Sequence, residues 1–232
     1  MRLLLKYCTG GRARGLAFRR AARPRRSWSS YRGKALSDRD EADSWGDFHW
    51  DGIELFPCAL TEVELRTLEK ECSAALRRRR YESGHWDGVI HSFREMTKPE
   101  WSSESTEVMN RLTSTSSLIP DDVDLLPPHI LDLSADGFIQ PHVDSLIASG
   151  DVVAGISLFS TRTLRLTPSD DARDDDDDDE SGASLVLRPG SFYVLTGPAR
   201  YEYAHEILPG SDRRVSIIIR DTLECSTRGL DQ

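Results

Sequence analysis

The second half of the chain is a run of short β-prone segments broken by turn dipeptides, and nothing else in the sequence restricts the fold as much. The segments are Ile130 to Leu133, Phe138 to Asp144, Val152 to Phe159, Thr163 to Leu166, Leu185 to Leu187, Ser191 to Leu195, Tyr201 to Ile207 and Arg214 to Arg220. Asp136-Gly137, Ser149-Gly150, Pro189-Gly190 and Gly197-Pro198 separate them. Strands this short bury their apolar faces only by stacking two sheets or closing one, so the pattern predicts a sandwich or a small closed barrel. The first half supplies helices. Thr61 and Glu64 form a capping box ahead of Leu65, Leu68, Cys72, Ala75 and Leu76, one apolar stripe ending at the Arg77 to Arg80 run. That arginine run reads as a favourable helix C-terminal charge cluster, with a nucleic-acid patch as the alternative. A hairpin is predicted within Tyr81 to Met96, and a second helix from Lys98-Pro99 to about Leu112, with proline in its first turn. The predicted class is mainly β (α+β), with the N-terminal helices on one face of the β core.

The 232 residues suit a single domain with tails, and the longest apolar runs, Val152 to Ser160 and Val215 to Ile219, fall far short of a membrane-spanning helix. The net charge of -9 hides an asymmetry: Met1 to Lys34 holds 11 Lys and Arg and no acid, leaving 19 basic against 39 acidic residues in the remaining 198. The Arg-rich, acid-free opening has the composition of a mitochondrial transit peptide, expected over 1–37, the alternative being a basic arm for nucleic acid or acidic lipid. An acidic connector over 38–55 and a catalytic domain over 56–222 follow, then a tail over 223–232. Residues 168–183 contain SDDARDDDDDDESG, which repels itself and is expected to be a solvated, disordered loop. Consecutive aspartates without a scaffold do not converge on calcium. Cys8, Cys58, Cys72 and Cys225 form no C-x-x-C pair, which implies a reducing compartment and no structural zinc. A monomer in the mitochondrial matrix is the expectation.

Three His-x-Asp triplets occur, so the bare motif decides nothing. His49-Trp50-Asp51 lies in the connector and His85-Trp86-Asp87 leads into a turn. His142-Val143-Asp144 sits on a predicted strand, where period-2 alternation projects both side chains from one face. A metal triad of two histidines and one carboxylate needs a further histidine from another strand, and of the six only His205 lies in a later one. Taken alone, His205 reads as a satisfied core histidine. Two histidines and an aspartate in this order on a many-stranded scaffold point instead to non-haem Fe(II). On the last strand, Arg214, Ser216, Ile218 and Arg220 share one face and Val215, Ile217 and Ile219 the other. An exposed edge strand would produce the same alternation. If the apolar face meets the helices, the arginines point inward and require an anion, which a dicarboxylate cosubstrate would supply. Arg214 is then placed on the distal carboxylate and Arg220 toward the metal end.

HVDS, LRPGSFYVLTGPARYEYAHEIL and RRVSIIIRD, with RRRRYESGHWDGVIHSFREM, resemble the AlkB-type Fe(II)- and 2-oxoglutarate-dependent dioxygenases, most closely their mitochondrial branch, from about Phe56 to Asp221. The resemblance implies a double-stranded β-helix (jelly-roll) core, iron on His142, Asp144 and His205, and 2-oxoglutarate held by Tyr193, Arg214 and Arg220, with Ser216 in the same pocket. It also implies Fe(II), 2-oxoglutarate and O2 as the reacting set. Two departures stand out. The N-x-Y pair of the base-repair members is Leu131 and Leu133 here, and the region of their basic, aromatic lid, Met96 to Leu126, turns acidic in SLIPDDVDLL. An acidic body is poorly suited to duplex DNA. The expected activity is therefore hydroxylation of a protein substrate, with roles implied in mitochondrial fatty-acid metabolism and in programmed necrosis after alkylation damage. The alternatives are a mitochondrial RNA demethylase, or an iron-binding interaction module without turnover.

Overall fold

The structure is a computed structural model and describes residues 48–145, 149–169 and 182–222. The transit segment expected over 1–37, most of the acidic run (170–181) and the tail from 223 lie outside the described residues.

The first helix forms where the capping box places it. In α1 (Glu62–Leu76) the Glu64 N–H donates to Thr61 Oγ1 at 3.3 Å and the Thr61 N–H donates to the Glu64 carboxylate at 2.7 Å. Leu68, Cys72 and Leu76 are buried along one stripe, each apolar side chain contributing about 2 kcal/mol. The second helix, α2 (Ser103–Thr115), starts later than Lys98-Pro99 predicts. Ser102 caps it, accepting from the Ser105 N–H at 3.2 Å, and the Glu71 carboxylate of α1 accepts from the hydroxyls of Ser102 and Ser105.

Eleven strands among the described residues form the β core: β1 (Phe48–Trp50), β2 (Ile53–Phe56), β3 (Glu82–Gly84), β4 (Ile90–Thr97), β5 (His129–His142), β6 (Val153–Leu158), β7 (Arg162–Pro168), β8 (Ala183–Leu187), β9 (Phe192–Leu195), β10 (Tyr203–Ile207) and β11 (Arg214–Arg220). A short helix, α3 (Gly197–Tyr201), occupies the Gly197-Pro198 punctuation, with proline in its first turn. β2 reaches back into the stretch read as connector, because Ile53 and Leu55 alternate inward and are buried.

One strand organises the topology. The first half of β5 lies between β4 and β11, and its second half pairs with β10, through Ile139 with Ile207 and His142 with His205. On one side the order runs β11-β6-β9-β2-β1; on the other it runs β10-β7-β8. The two sheets face each other as a jelly roll. Asp136-Gly137, expected to separate two strands, lies within β5. A Cβ at Gly137 would stand 2.7 Å from the Ser92 carbonyl, so glycine lets the strand pass from one sheet to the other at close approach.

The inner core draws Leu131, Leu133, Val153 and Leu195 from one sheet and Leu164, Leu166, Leu185 and Ile207 from the other. Val215, Ile217 and Ile219 face the opposite way, where they pack with Leu68, Leu76, Val108 and Leu112 of the helices. The helices therefore cover the apolar face of β11 and turn its arginines inward. No helix among the described residues is long and apolar enough to cross a membrane.

Candidate metal centre and cosubstrate pocket

The β5–β10 register sets His142 directly opposite His205, and Asp144 follows two residues after His142. The two imidazole centroids are 4.3 Å apart. One donor atom from each of His142, Asp144 and His205 falls within 4.8 Å of the others. His142 Nδ1 lies 2.9 Å from the Gln140 carbonyl, which only accepts, so that nitrogen carries the hydrogen. His142 Nε2 then faces Asp144 Oδ1 at 3.3 Å, two electron-rich atoms that a proton or a cation must bridge. His205 Nδ1 is buried without a hydrogen-bond partner. Two imidazoles and a carboxylate converging this way fit a divalent metal such as Fe(II).

The electrostatics agree. Burial would raise the Asp144 carboxyl, but His142, Arg220 and His205 hold it well below the usual carboxylate range, and Arg220 Nε stands 3.3 Å from Asp144 Oδ2. Burial, then the neighbouring His142, pushes His205 down to about 3, so its ring is neutral and keeps a lone pair. For His142, burial lowers the proton affinity and Asp144 more than restores it.

Arg214 points into the barrel on the face opposite the helices and is 1 % exposed. Its Nε donates to Ser157 Oγ at 3.2 Å and its Nη1 to Ser216 Oγ at 3.4 Å, while Nη2 is buried without a partner. Burial lowers its pKa, and the Tyr193 phenol is its neighbour. A buried guanidinium with a free donor and no carboxylate is a site for an anion. Burial raises the Tyr193 hydroxyl, which keeps it protonated and able to donate. The ring of Tyr193 lies across Gly155, its cross-strand partner, where a Cβ would come within 2.5 Å of it. Tyr193, Arg214 and Ser216 thus gather in one cluster, and Arg220 lies beside Asp144. About 20 Å of strand separates the two arginine backbones, which lie at opposite ends of β11.

The other His-x-Asp triplets fall elsewhere. His49 belongs to β1, five strands from β5 along the sheet. His85 and Asp87 pair with each other at 2.8 Å in the β3–β4 turn. Leu131 and Leu133 sit in the inner core.

Three charged groups were not singled out by the sequence. Glu95 of β4 accepts from His129 Nε2 at 2.9 Å, shares the inner-facing side of β4 with Phe93, and is held low first by His129. Asp132, with a fully buried side chain on the helix-facing side, takes Arg94 Nε at 2.7 Å, Arg213 Nε at 3.0 Å and the Tyr81 hydroxyl at 3.0 Å. Arg200 of α3 is buried and donates to the Asp144 carbonyl at 3.0 Å. Its only signal in the sequence was an arginine in GPARY just ahead of His205.

No family model matches the chain. Two curated proteins are similar to it. The mitochondrial alpha-ketoglutarate-dependent dioxygenase alkB homolog 7 of Bos taurus is 37% identical over 185 residues, and that of Mus musculus 38%. Each alignment covers 75% of this chain and 80% of the relative. Among solved structures, a Pseudomonas putida prolyl-4-hydroxylase superposes with a TM-score of 0.55 at 15% identity, covering 75% of this chain and 93% of the other. A Trichoplax adhaerens prolyl hydroxylase, solved with a fragment of hypoxia inducible factor, superposes with 0.55 at 8% identity, covering 75% and 84%. At these identities the structural likeness concerns the jelly-roll fold alone.

Proposed function

Because the chain belongs to the AlkB-type alpha-ketoglutarate-dependent dioxygenases, in the group of the mitochondrial alkB homolog 7 proteins, we propose that it hydroxylates a protein substrate in the mitochondrial matrix. We place its cellular role in fatty-acid metabolism and in programmed necrosis after alkylation damage. His142, Asp144 and His205 hold the iron, and Tyr193, Arg214, Ser216 and Arg220 hold 2-oxoglutarate, Arg220 from the metal end. Fe(II), when bound, supplies the redox chemistry by which O2 converts 2-oxoglutarate to succinate and CO2 and oxygenates a C–H bond of the substrate.

The residues of the chain bind, orient and exclude water. Arg214 and the Tyr193 hydroxyl pair with the distal carboxylate, a charge-assisted interaction strengthened because both groups are buried. Arg220 steadies the Asp144 carboxylate through its 3.3 Å approach. The Gln140 carbonyl fixes the His142 ring so that Nε2 faces Asp144 and would be free to take the metal. Leu131, Leu133 and Ile207 keep the inner chamber apolar around the reacting groups.

The acid near the metal end is the observation that carries the protein-substrate reading. The exposed Asp121, Asp122 and Asp124 lead into a segment that runs beside the end of β11, where the Thr222 N–H donates to the Asp124 carbonyl and the Leu126 N–H to the Arg220 carbonyl. Glu95 adds another carboxylate on the inner side of β4. Phosphate neutralisation dominates nucleic-acid affinity, so this acid favours a partner without a phosphate chain. α2 lies on the helix-covered face and does not roof the chamber. Trp86 stands exposed in the β3–β4 hairpin, whose Val89 carbonyl accepts from Gln140, two residues before His142. It offers an apolar ledge to an extended chain.

The test is succinate release by the full chain with mitochondrial protein fractions and with methylated RNA. Protein should stimulate release, and His142→Ala or Arg214→Ala should abolish it. Faster release with methylated RNA than with any protein fraction would reverse the assignment. Survival of the cellular effect in both variants would leave only the interaction-module reading.

A further inference from the structure

Arg200 and Arg214 are the largest fully buried side chains among the described residues, and of the two the function proposed above uses only Arg214. It belongs to α3, five residues before His205, and reaches across 56 residues of sequence to the segment that leaves β5. Nη1 donates to the Asp144 carbonyl at 3.0 Å; Nη2 donates to Ser149 Oγ at 3.2 Å and to the Ser145 carbonyl at 3.4 Å. The guanidinium carbon stands 5.1 Å from the centre of the Tyr201 ring. No carboxylate among the described residues accepts from it, and Nε is buried without a partner.

A cation buried on neutral acceptors, two carbonyls and a hydroxyl, is an expensive way to fasten a loop, since apolar side chains of similar volume fill such space without the desolvation cost. What the guanidinium provides is a planar fork whose donors reach several acceptors at fixed angles. Here the first acceptor is the main chain of Asp144. Holding that carbonyl restricts the Asp144 backbone, and so the direction in which its carboxylate leaves toward His142 Nε2 and Arg220 Nε, both 3.3 Å away. The backbone of Arg200 itself is rooted in the segment that leads into β10, the strand of His205. Arg200 therefore braces two ligand-bearing segments that are not adjacent in sequence.

We propose that Arg200 is a positioning residue of the metal centre, setting the Asp144 carboxylate relative to His205 by holding the Asp144 carbonyl. This rests on the reading of His142, Asp144 and His205 as the iron ligands. Outer groups that orient metal ligands typically account for about ten- to hundred-fold in metal affinity.

The experiment uses the full chain stripped of metal, with Co(II) as the probe, and compares wild type, Arg200→Met, Arg200→Lys, Ser149→Ala and His142→Ala. Co(II) affinity is read by calorimetry well below each melting temperature, and ligand geometry by the visible absorption of the bound ion. Arg200→Met should bind Co(II) about ten- to hundred-fold more weakly, with an altered spectrum. Arg200→Lys should recover part of the loss, because one ammonium satisfies fewer of the acceptors. Ser149→Ala should lose a few-fold. A merely structural arginine would lower the melting temperature and leave affinity and spectrum unchanged; that result in Arg200→Met, or in Arg200→Lys and Ser149→Ala if the methionine variant does not fold, overturns the proposal. If wild type binds Co(II) no more tightly than His142→Ala, the iron-site reading falls, and the proposal with it.

Discussion

Replacing Gly155 with alanine is a one-methyl test of the cosubstrate pocket. Gly155 and Tyr193 are cross-strand partners on β6 and β9, and an added Cβ would stand 2.5 Å from Cε1, Cζ and Oη of the phenol. Ordinary contact begins at 3.4 Å, so the ring must retreat by the difference, about 1 Å. It cannot swing into water: Tyr193 is 5 % exposed and packs in the inner core with Leu55, Val153 and Leu195. Overpacking on this scale costs about 1 to 3 kcal/mol, or a fall in melting temperature of roughly 2 to 10 °C for a domain of this size. The binding effect should be larger in proportion, because the hydroxyl moves off the anion pocket beside Arg214. A lost hydrogen bond to a charged group is worth about 1.5 to 3 kcal/mol, hence about ten- to hundred-fold in 2-oxoglutarate affinity. Succinate release titrated against 2-oxoglutarate reads this as a raised KM, and thermal denaturation reads the stability. In a Tyr193→Leu background the methyl no longer meets a phenol, so Gly155→Ala should add under about 0.5 kcal/mol. Wild-type saturation by 2-oxoglutarate in Gly155→Ala, or equal destabilisation in both backgrounds, would refute the reasoning.

Asp132→Ala strands Arg94 and Arg213 around a fully buried position and should cost about 3 to 5 kcal/mol, lowering the melting temperature by roughly 10 °C. Since Asp132 lies on the helix-facing side, KM for 2-oxoglutarate in the folded protein should stay at the wild-type value. Glu71 supplies a pH dependence. Burial raises its carboxyl, but Ser105, Ser102 and Lys98 outweigh burial and hold it below its ordinary value of 4.5. The unfolded chain then takes up this proton first as pH falls, so the contribution is complete above about pH 4.5 and disappears as pH drops through the lower folded value. The melting-temperature gap between wild type and Glu71→Gln should be widest near neutrality and close below pH 4.5; a gap constant with pH would remove the charge from the account.

The sequence alone determined what alternation and capping decide. The period of two on RRVSIIIRD separated Arg214, Ser216 and Arg220 from the apolar face, and Thr61 with Glu64 marked where α1 starts. The order His142, Asp144, His205 was legible because few histidines compete for the later position. These are local facts, since the face a side chain takes depends on its own element. Tertiary structure decided the rest. Asp136-Gly137 reads as a turn, yet β5 runs through it, because pairing with β4 and β10 outweighs the local preference. Gly197-Pro198 reads as punctuation, yet it opens the helix that carries Arg200 to Asp144. Asp132 finds Tyr81, Arg94 and Arg213 only because β4 and β11 flank β5. Which elements become neighbours depends on burying the apolar faces of both sheets together, a property of the whole chain that no window of residues contains.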